Sequence, residues 1–496
     1  MIQFQDTIGL DDSITGSEGN DTILAGAGDD TIHALGGADS VDAGDGHDVI
    51  SGGAGVDTLI GGAGNDVFTF EDGETVGAGE VFEGGAGTDT LLLSFGTTFD
   101  GLTLDVGASV EVIDGSDGAL FLSGTDGDNV FDLSGVSRLT EIYDIDLGGG
   151  HDRFVGGALD DLVFGGAGND TFFGGDGEDE LYGDGGDDLF VVDQTAVGYG
   201  EIYDGGDGVD TLRVLSGTTF NDLFAPGVEI IDATADGFLS GTAGEDNIEL
   251  TDVTSMIGFS NIDLGLGHDS FRGGALNEAV YGRDGDDHIR GGDGSDTLVG
   301  DTGDDTLIGG ESEDDLRDVI YAGAGADSVD GGYGNDELRG DAGDDTIAGG
   351  FGADTVIGGT GHDRLTGSAF ADQMFGSDGD DFVNGGFGHD LLNGGSGADR
   401  FYHIGVADHG SDWVQDYNAA DGDILQFGIA SATVSQFQVN TTHTSTAAGE
   451  RSGDDAIEEA FVIYRPTGQI MWALVDGAGQ SQINVQIGQN VFDLLA

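Results

Sequence analysis

The sequence predicts an all-β fold: a parallel β-roll or β-solenoid, interrupted by two related irregular β modules and closed by a C-terminal β cap. Three observations carry that expectation. An aspartate returns every nine residues over long stretches, one large apolar residue follows it two places on, and glycine crowds the positions before it. Three residues with a single apolar position between polar ones suit a very short strand that points one side chain inward, and the six before them suit a turn. Two nonapeptides per coil then put one strand on each of two sheets and stack like turns eighteen residues apart.

The clearest run spans 331–401, with aspartates at Asp336, Asp345, Asp354, Asp363, Asp372, Asp381, Asp390 and Asp399, and one more unit at Asp327 before it. Most units read G-G-x-G-x-D-x-U-x, as in Gly385, Gly386, Phe387, Gly388, His389, Asp390, Leu391, Leu392, Asn393. Here U is large and apolar: Val329, Leu338, Ile347, Val356, Leu365, Met374, Val383, Leu392 and Phe401. Glycine permits positive φ and close backbone approach at an entropic cost, so something else must hold the turn. A fixed aspartate beside glycine carbonyls offers the anionic, all-oxygen ligand set that a hard cation such as Ca²⁺ prefers.

Taken in order, residues 1–69 form the first run, at Asp12, Asp21, Asp30, Asp39, Asp48, Asp57 and Asp66. Residues 70–145 break the register, keeping one motif at Asp89; their short apolar clusters every nine or ten residues fit either a continuing solenoid or a separately folded β insertion. Residues 146–190 are the second run, at Asp152, Asp161, Asp170, Asp179 and Asp188. Residues 191–262 repeat the interruption around Asp210: Leu122, Ser123, Gly124, Thr125 match Leu239, Ser240, Gly241, Thr242, and His151, Asp152 match His268, Asp269. Such duplication favours an architectural part over an active site. Residues 263–314 hold the third run, at Asp269, Glu278, Asp287, Asp296, Asp305 and Asp314. Glu278 with Leu276, and Leu159, Ser312 and Phe370 in other units, depart from the motif and mark the poorest turns for a cation. Residues 315–326 contain a stretched spacing, expected as a bulge or loop at Arg317 to Tyr321, and 327–402 are the fourth run. Residues 403–496 change composition, with both tryptophans, a hairpin expected around Pro466, Thr467 and Gly468, and a polar strip from Asn440 to Asp455 expected as a loop.

Acidic residues number 97 and basic ones 12, all arginine, for a net charge of -85. That excludes a basic nucleic-acid footprint, and attraction to an anionic membrane needs bridging cations. Disorder is expected for the cation-free state, whereas periodic apolar residues supply a thin core once the carboxylates are neutralised. There is no cysteine. Residues 1–10 lack a basic and apolar leader pattern, no catalytic domain fits ahead of Asp12, and no apolar run reaches the ~18 residues of a membrane span.

The nonapeptide, with nine aspartates and nine apolar residues in one register up to Phe401, resembles the repeat of RTX proteins, secreted bacterial calcium-binding proteins. The resemblance implies that each ion lies between turns eighteen residues apart, held by motif aspartates and turn carbonyls. A run of n units then offers n minus two sites, on the order of 15 to 20 Ca²⁺ ions in all. It also implies export through a type I secretion apparatus by a C-terminal signal, for which the tail Phe492, Asp493, Leu494, Leu495, Ala496 is suited, and folding outside the cell or at its surface.

Other features are weighed against the repeat. His47, His151, His268, His362 and His389 precede motif aspartates and read as solvent-facing turn residues rather than transition-metal ligands, since calcium prefers oxygen. Arg339, Gly340, Asp341 spell an integrin-type tripeptide within the register. No H-E-x-x-H or G-x-S-x-G occurs. The expected function is therefore non-enzymatic: a structural or interaction role in a surface layer, extracellular matrix or adhesion, with calcium bridging to anionic polysaccharide or to other copies. A polysaccharide-acting enzyme with its site in the irregular modules or C-terminal segment is the alternative. A third is an ice- or glycan-binding face, suggested by threonines such as Thr22, Thr297 and Thr346 after motif aspartates.

Overall fold

One inward side chain per nonapeptide cannot make a core alone, so each coil depends on those above and below it. The computed structural model describes residues 3–5, 9–104, 107–192, 196–197, 199–215, 218–407, 409–442 and 457–496. They fall into two compact units, 1–238 with 252–259, and 239–251 with 260–496. Both are parallel β-solenoids, and the regular helices among the described residues are two short 3-10 turns.

In the first unit Ile14, Ile32, Ile50 and Phe68 are successive register partners in one sheet, and Ile23, Val41 and Leu59 in the other. All seven are buried. Each contributes on the order of 1.5–3 kcal/mol from burial, and stacking like on like lets one narrow column run the length of a run.

The choice the sequence left open for 70–145 falls to the solenoid. Thr90–Ser94 pairs in parallel with Val67–Thr69 on one side and Val112–Asp117 on the other, and Val112–Asp117 pairs with Arg138–Thr140. The coils widen to take a third strand: Thr98–Phe99 pairs with Thr75–Val76, and Leu102–Thr103 with Val130–Asp132. A wider coil has more interior to fill, and phenylalanine fills it. Phe68 meets Phe82, and Phe70 meets Phe99, edge to face at 5.6 Å; Phe99 reaches Phe131 at 6.5 Å. The duplicate repeats the device. Leu189–Val192 pairs with Asp210–Val214, Ala196–Val197 with Thr219–Phe220, and Phe190 packs between Phe172 and Tyr203.

In the second unit Val329, Ile347, Leu365, Val383 and Phe401 form one column, and Leu338, Val356, Met374 and Leu392 the other. The bulge expected at Arg317 to Tyr321 lies earlier. Tyr321 sits inside the strand Val319–Ala324, which pairs with both neighbours, and the extra residues fall before Asp318. The reason is that Ile320 takes the inward position, fully buried, while Leu316 is 57% exposed.

The C-terminal segment begins as more solenoid. Gln469–Leu474 pairs in parallel with Asp412–Val414, and Asn484–Ile487 with Ile424–Phe427. Antiparallel strands then close it: Phe437–Thr442 on Glu459–Tyr464, Glu459–Tyr464 on Gln469–Leu474 around the expected turn, and Asn484–Ile487 on Asn490–Asp493. Trp472 is fully buried against His403 and Phe427. Of the polar strip expected as a loop, Asn440 to Thr442 are strand, and 443–455 lie outside the described residues. No described helix is long and apolar enough to cross a membrane.

Because the wide coil carries its own aromatic core, Phe131→Ala should cost about 3–5 kcal/mol, against about 0.5–1.5 kcal/mol for Ile50→Val in a narrow coil. Denaturant unfolding of the calcium-saturated protein checks this, and equal losses would contradict it.

Candidate metal centres

At each repeat the aspartate closes the turn by bonding to the coil before it. Its Oδ1 accepts the backbone N–H of the aspartate eighteen residues earlier: Asp345 N donates to Asp363, Asp363 N to Asp381, and Asp381 N to Asp399, at 2.9 to 3.0 Å. Alternate units make a second such ladder, through Asp336, Asp354, Asp372 and Asp390. The first unit has the same pair, one through Asp12, Asp30, Asp48, Asp66 and Asp89, the other through Asp21, Asp39 and Asp57.

The other carboxylate oxygen is left over. Oδ2 of Asp345, Asp354, Asp363, Asp372, Asp381, Asp390 and Asp399, and of most motif aspartates in the other runs, is buried without a hydrogen-bond partner. A buried, unpaired carboxylate oxygen is expensive. Most of these oxygens face a space beside the glycine five residues earlier; before Asp39, Asp48 and Asp327 a buried alanine, the next smallest residue, stands there instead. A Cβ on Gly349 would stand 2.6 Å from Asp354 Oδ2 and 2.8 Å from the carbonyl oxygen of Gly367; on Gly165 it would stand 2.6 Å from Asp170 Oδ2 and 2.9 Å from the Gly183 carbonyl. Carboxylate and carbonyl oxygens thus converge beside a missing side chain, which suits Ca²⁺, a cation that takes oxygens at about 2.3–2.6 Å. Among the described residues no three His, Asp or Glu side chains cluster as a metal site, so backbone carbonyls are needed to complete any ligand set.

Burial shows in the titration of these groups. Desolvation pushes Asp345 from the ordinary 3.8 up to about 7 and Asp336 up to about 8; the backbone hydrogen bonds each accepts work against that, and neighbouring aspartates add to it.

Where the glycine turn is lost, the acid is kept. Asp66 N donates to Asp89, Asp89 N to Glu111, and Asp57 N to Glu80; Asp188 N donates to Asp210 and Asp210 N to Glu229. Glu201 is buried beside Asp179. Asp246 N donates to Asp269, Asp399 N to Asp423, and Asp412 is buried next to Asp390 with both carboxylate oxygens unpartnered. Of these acids, Glu80, Glu111, Glu201, Glu229, Asp246, Asp412 and Asp423 stand outside the nine-residue register. Each nevertheless stands two residues before an inward apolar side chain, as Glu80 before Phe82, Glu111 before Ile113 and Asp423 before Leu425. That acid-x-apolar spacing is the signal that finds them.

The other predicted positions fall as follows. Asp152, Asp161, Asp170, Asp179, Asp188, Asp269, Asp287, Asp296, Asp305 and Asp327 are buried in the ladders, and Asp12 is half-buried. Glu278 is also buried, and its backbone N–H donates to Asp296. Asp21 differs, since its Oδ2 accepts from Ser17 N and Oγ. Asp314 is a correction: it is exposed, and Asp318 stands in the ladder between Asp296 and Asp336. The inserted loop delays the register by four residues, and Asp318 is the acid two places before Ile320.

The histidines form part of a second, exposed ladder that runs the opposite way. His362 N donates to Asp344 Oδ1, Asp380 N donates to His362 Nδ1, and Ala398 N donates to Asp380 Oδ1. His47, His151 and His268 accept through Nδ1 from the next coil in the same manner. They are solvent-facing turn residues with Nδ1 already engaged.

Fold and site together define a parallel β-roll whose turns present calcium-type oxygen cradles. The family model described as RTX calcium-binding nonapeptide repeat (4 copies) matches residues 7–41, 33–68, 155–190, 272–307, 281–316, 315–338, 330–365 and 366–401. The chain carries RTX calcium-binding nonapeptide repeats along these stretches, and Ca²⁺ is the ion such repeats bind. No curated protein matches it.

In chelator, stability should fall as pH rises. The folded pKa values of Asp345 and Asp336 lie above the unfolded 3.8, so the folded state binds more protons in between; its advantage is complete below pH ~4 and lost through pH 7 to 8. Thermal melts in chelator at pH 4.5 and 8 check the sign, and millimolar Ca²⁺, which binds ionised carboxylates, should reverse the order.

Proposed function

We propose that this chain is a secreted, calcium-loaded β-roll protein with a structural or interaction role at the cell surface, as part of a surface layer, matrix or adhesive coat. The observation that carries the reading is the same orphaned Oδ2 beside a glycine or alanine five residues earlier, repeated coil after coil. In this reading the ligands are the ladder aspartates, with Asp318 in place of Asp314, together with turn carbonyls. The load is on the order of 15 to 20 ions, bound at the ~10⁻⁴–10⁻³ M affinity of extracellular modules. The chain leaves a calcium-poor cytosol unfolded through a type I secretion apparatus and folds outside, where surface calcium bridges it to anionic polysaccharide or to further copies. The wide coils support a structural role over an enzymatic one. They continue the solenoid and fill their interior with phenylalanine, and the repeat family is typically non-catalytic.

Circular dichroism in chelator should show little β structure, rising cooperatively with millimolar Ca²⁺. Equal β content in both would remove calcium-driven folding. Asp381→Ala should raise the calcium needed for folding several-fold. Asp21→Ala should raise it less, because Asp21 Oδ2 is already held by Ser17. Electron microscopy of producing cells, with and without chelator, tests the surface role: a calcium-dependent coat supports it, and recovery of all the protein free in the medium counts against it.

A further inference from the structure

The fourth run has two turn edges, and their chemistry differs. On one, the turns at 340–345 and 376–381 expose Asp341, Asp344, Asp378 and Asp380. On the other, the turns at 331–336, 349–354, 367–372 and 385–390 carry no acidic residue except the buried ladder aspartates. In a chain with 97 acidic residues, four consecutive turns free of exposed acid form a neutral strip.

That strip is aromatic. Its third turn positions are Tyr333, Phe351, Ala369 and Phe387, each the register neighbour of the next. Tyr333 and Phe351 stack at 4.7 Å with planes 14° apart, and Phe387 packs on His409 of the next rung at 4.3 Å. Phe351 and Phe387 are 53% and 58% exposed. Ala369, lying between them, leaves a gap one ring thick, since two rungs span about 9.5 Å. Phe370 stands beside the gap, 65% exposed, where the motif has glycine, and it holds φ at 85°. A bulky residue there costs about 1–3 kcal/mol. Neither the strain nor the exposed rings serve the repeat: the other regular turns have no aromatic residue at the third position, and at the fourth they have mostly glycine, with larger exceptions such as Leu159 and Leu276.

We propose that this gap is a glycan-binding site: a neutral pyranose ring enters over Ala369, its apolar face stacking on Phe351 and Phe387, with Phe370 against its rim. Charge selects the ligand class. The field of a chain at -85 repels anions, and the strip offers no carboxylate to pair with a cation, so a neutral ring with an apolar face is what remains. Size argues against a second copy, because four rungs span about 15 Å, far short of the ~1,600 Å² a stable protein interface buries. Calcium-driven folding does not depend on this site, and its own test is independent of it.

The test uses the full chain saturated with Ca²⁺, in affinity electrophoresis and calorimetry against hydroxyethyl cellulose, xyloglucan, mannan and dextran, with polygalacturonate as an anionic probe. At least one neutral polysaccharide should bind, and Phe351→Ala or Phe387→Ala should weaken it about tenfold or more. Phe370→Gly restores the motif residue and removes the strained φ. It should fold at the same or lower calcium and yet lose affinity, which a purely structural role would not produce. No binding to any neutral polysaccharide, binding that all three variants retain, or binding to polygalacturonate alone would overturn the proposal. Self-association abolished by the same variants without glycan binding would overturn it too.

Discussion

The molecule depends on a buried row of carboxylates whose ionisation the fold opposes. Most ladder aspartates spend one oxygen on the backbone of the coil before and aim the other at a space lined by a glycine or alanine and a carbonyl. Without a cation that arrangement is self-defeating. Desolvation and neighbouring aspartates push Asp336 up to about 8 and Asp345 up to about 7, so the folded chain holds protons there that an extended chain sheds at neutral pH. A divalent ion supplies the missing charge and the missing ligand together. Folding and ion uptake thus become one event, because the site has no counterpart in an extended chain.

The turns are tied in both directions. The buried aspartate reaches back to the preceding coil, and the exposed residue just before it, whether aspartate, asparagine or histidine, accepts from the following coil, as Asp344, His362 and Asp380 do in sequence. Any residue with a short side-chain acceptor serves at the exposed position. This explains why histidine recurs there and why it is interchangeable with aspartate and asparagine. The buried position is stricter, since its residue must close the turn and still offer a second oxygen inward.

Much of this was legible because the repeat is a direct readout of geometry. Nine residues make half a coil, so the period named the fold, the two sheets and the inward column from Val329 to Phe401. What was hidden lay where the coil length changes. The wide coils keep the acid two residues before the inward apolar side chain but abandon the glycine turn, so Glu80, Glu111, Glu201 and Glu229 share no register with the motif. Counting by nines also misplaced Asp314, because a loop inserted between strands shifts every later residue without changing the ladder. The third strand of the wide coils was illegible for another reason. Two-residue strands such as Thr98–Phe99 have no periodicity, and only packing, here Phe99 on Phe70 and Phe131, makes them rungs.

Carboxylates crowd the turn edges, and several arginines bond to acids on their own or an adjacent rung. Arg283 bridges Asp263 and Asp301 at 2.9 and 3.3 Å while lying over Tyr281, and Arg339 bonds to Glu337 over Tyr321. A planar guanidinium can serve two rungs and an aromatic face at once; an ammonium cannot, which gives a physical reason for the absence of lysine. These pairs offset part of the charge on the sheet faces, and the turn edges are left to calcium. On such a surface an edge that has lost its exposed carboxylates, as the strip from Tyr333 to Phe387 has, no longer repels neutral or apolar matter. There Tyr333 and Phe351 stack ring on ring at the surface.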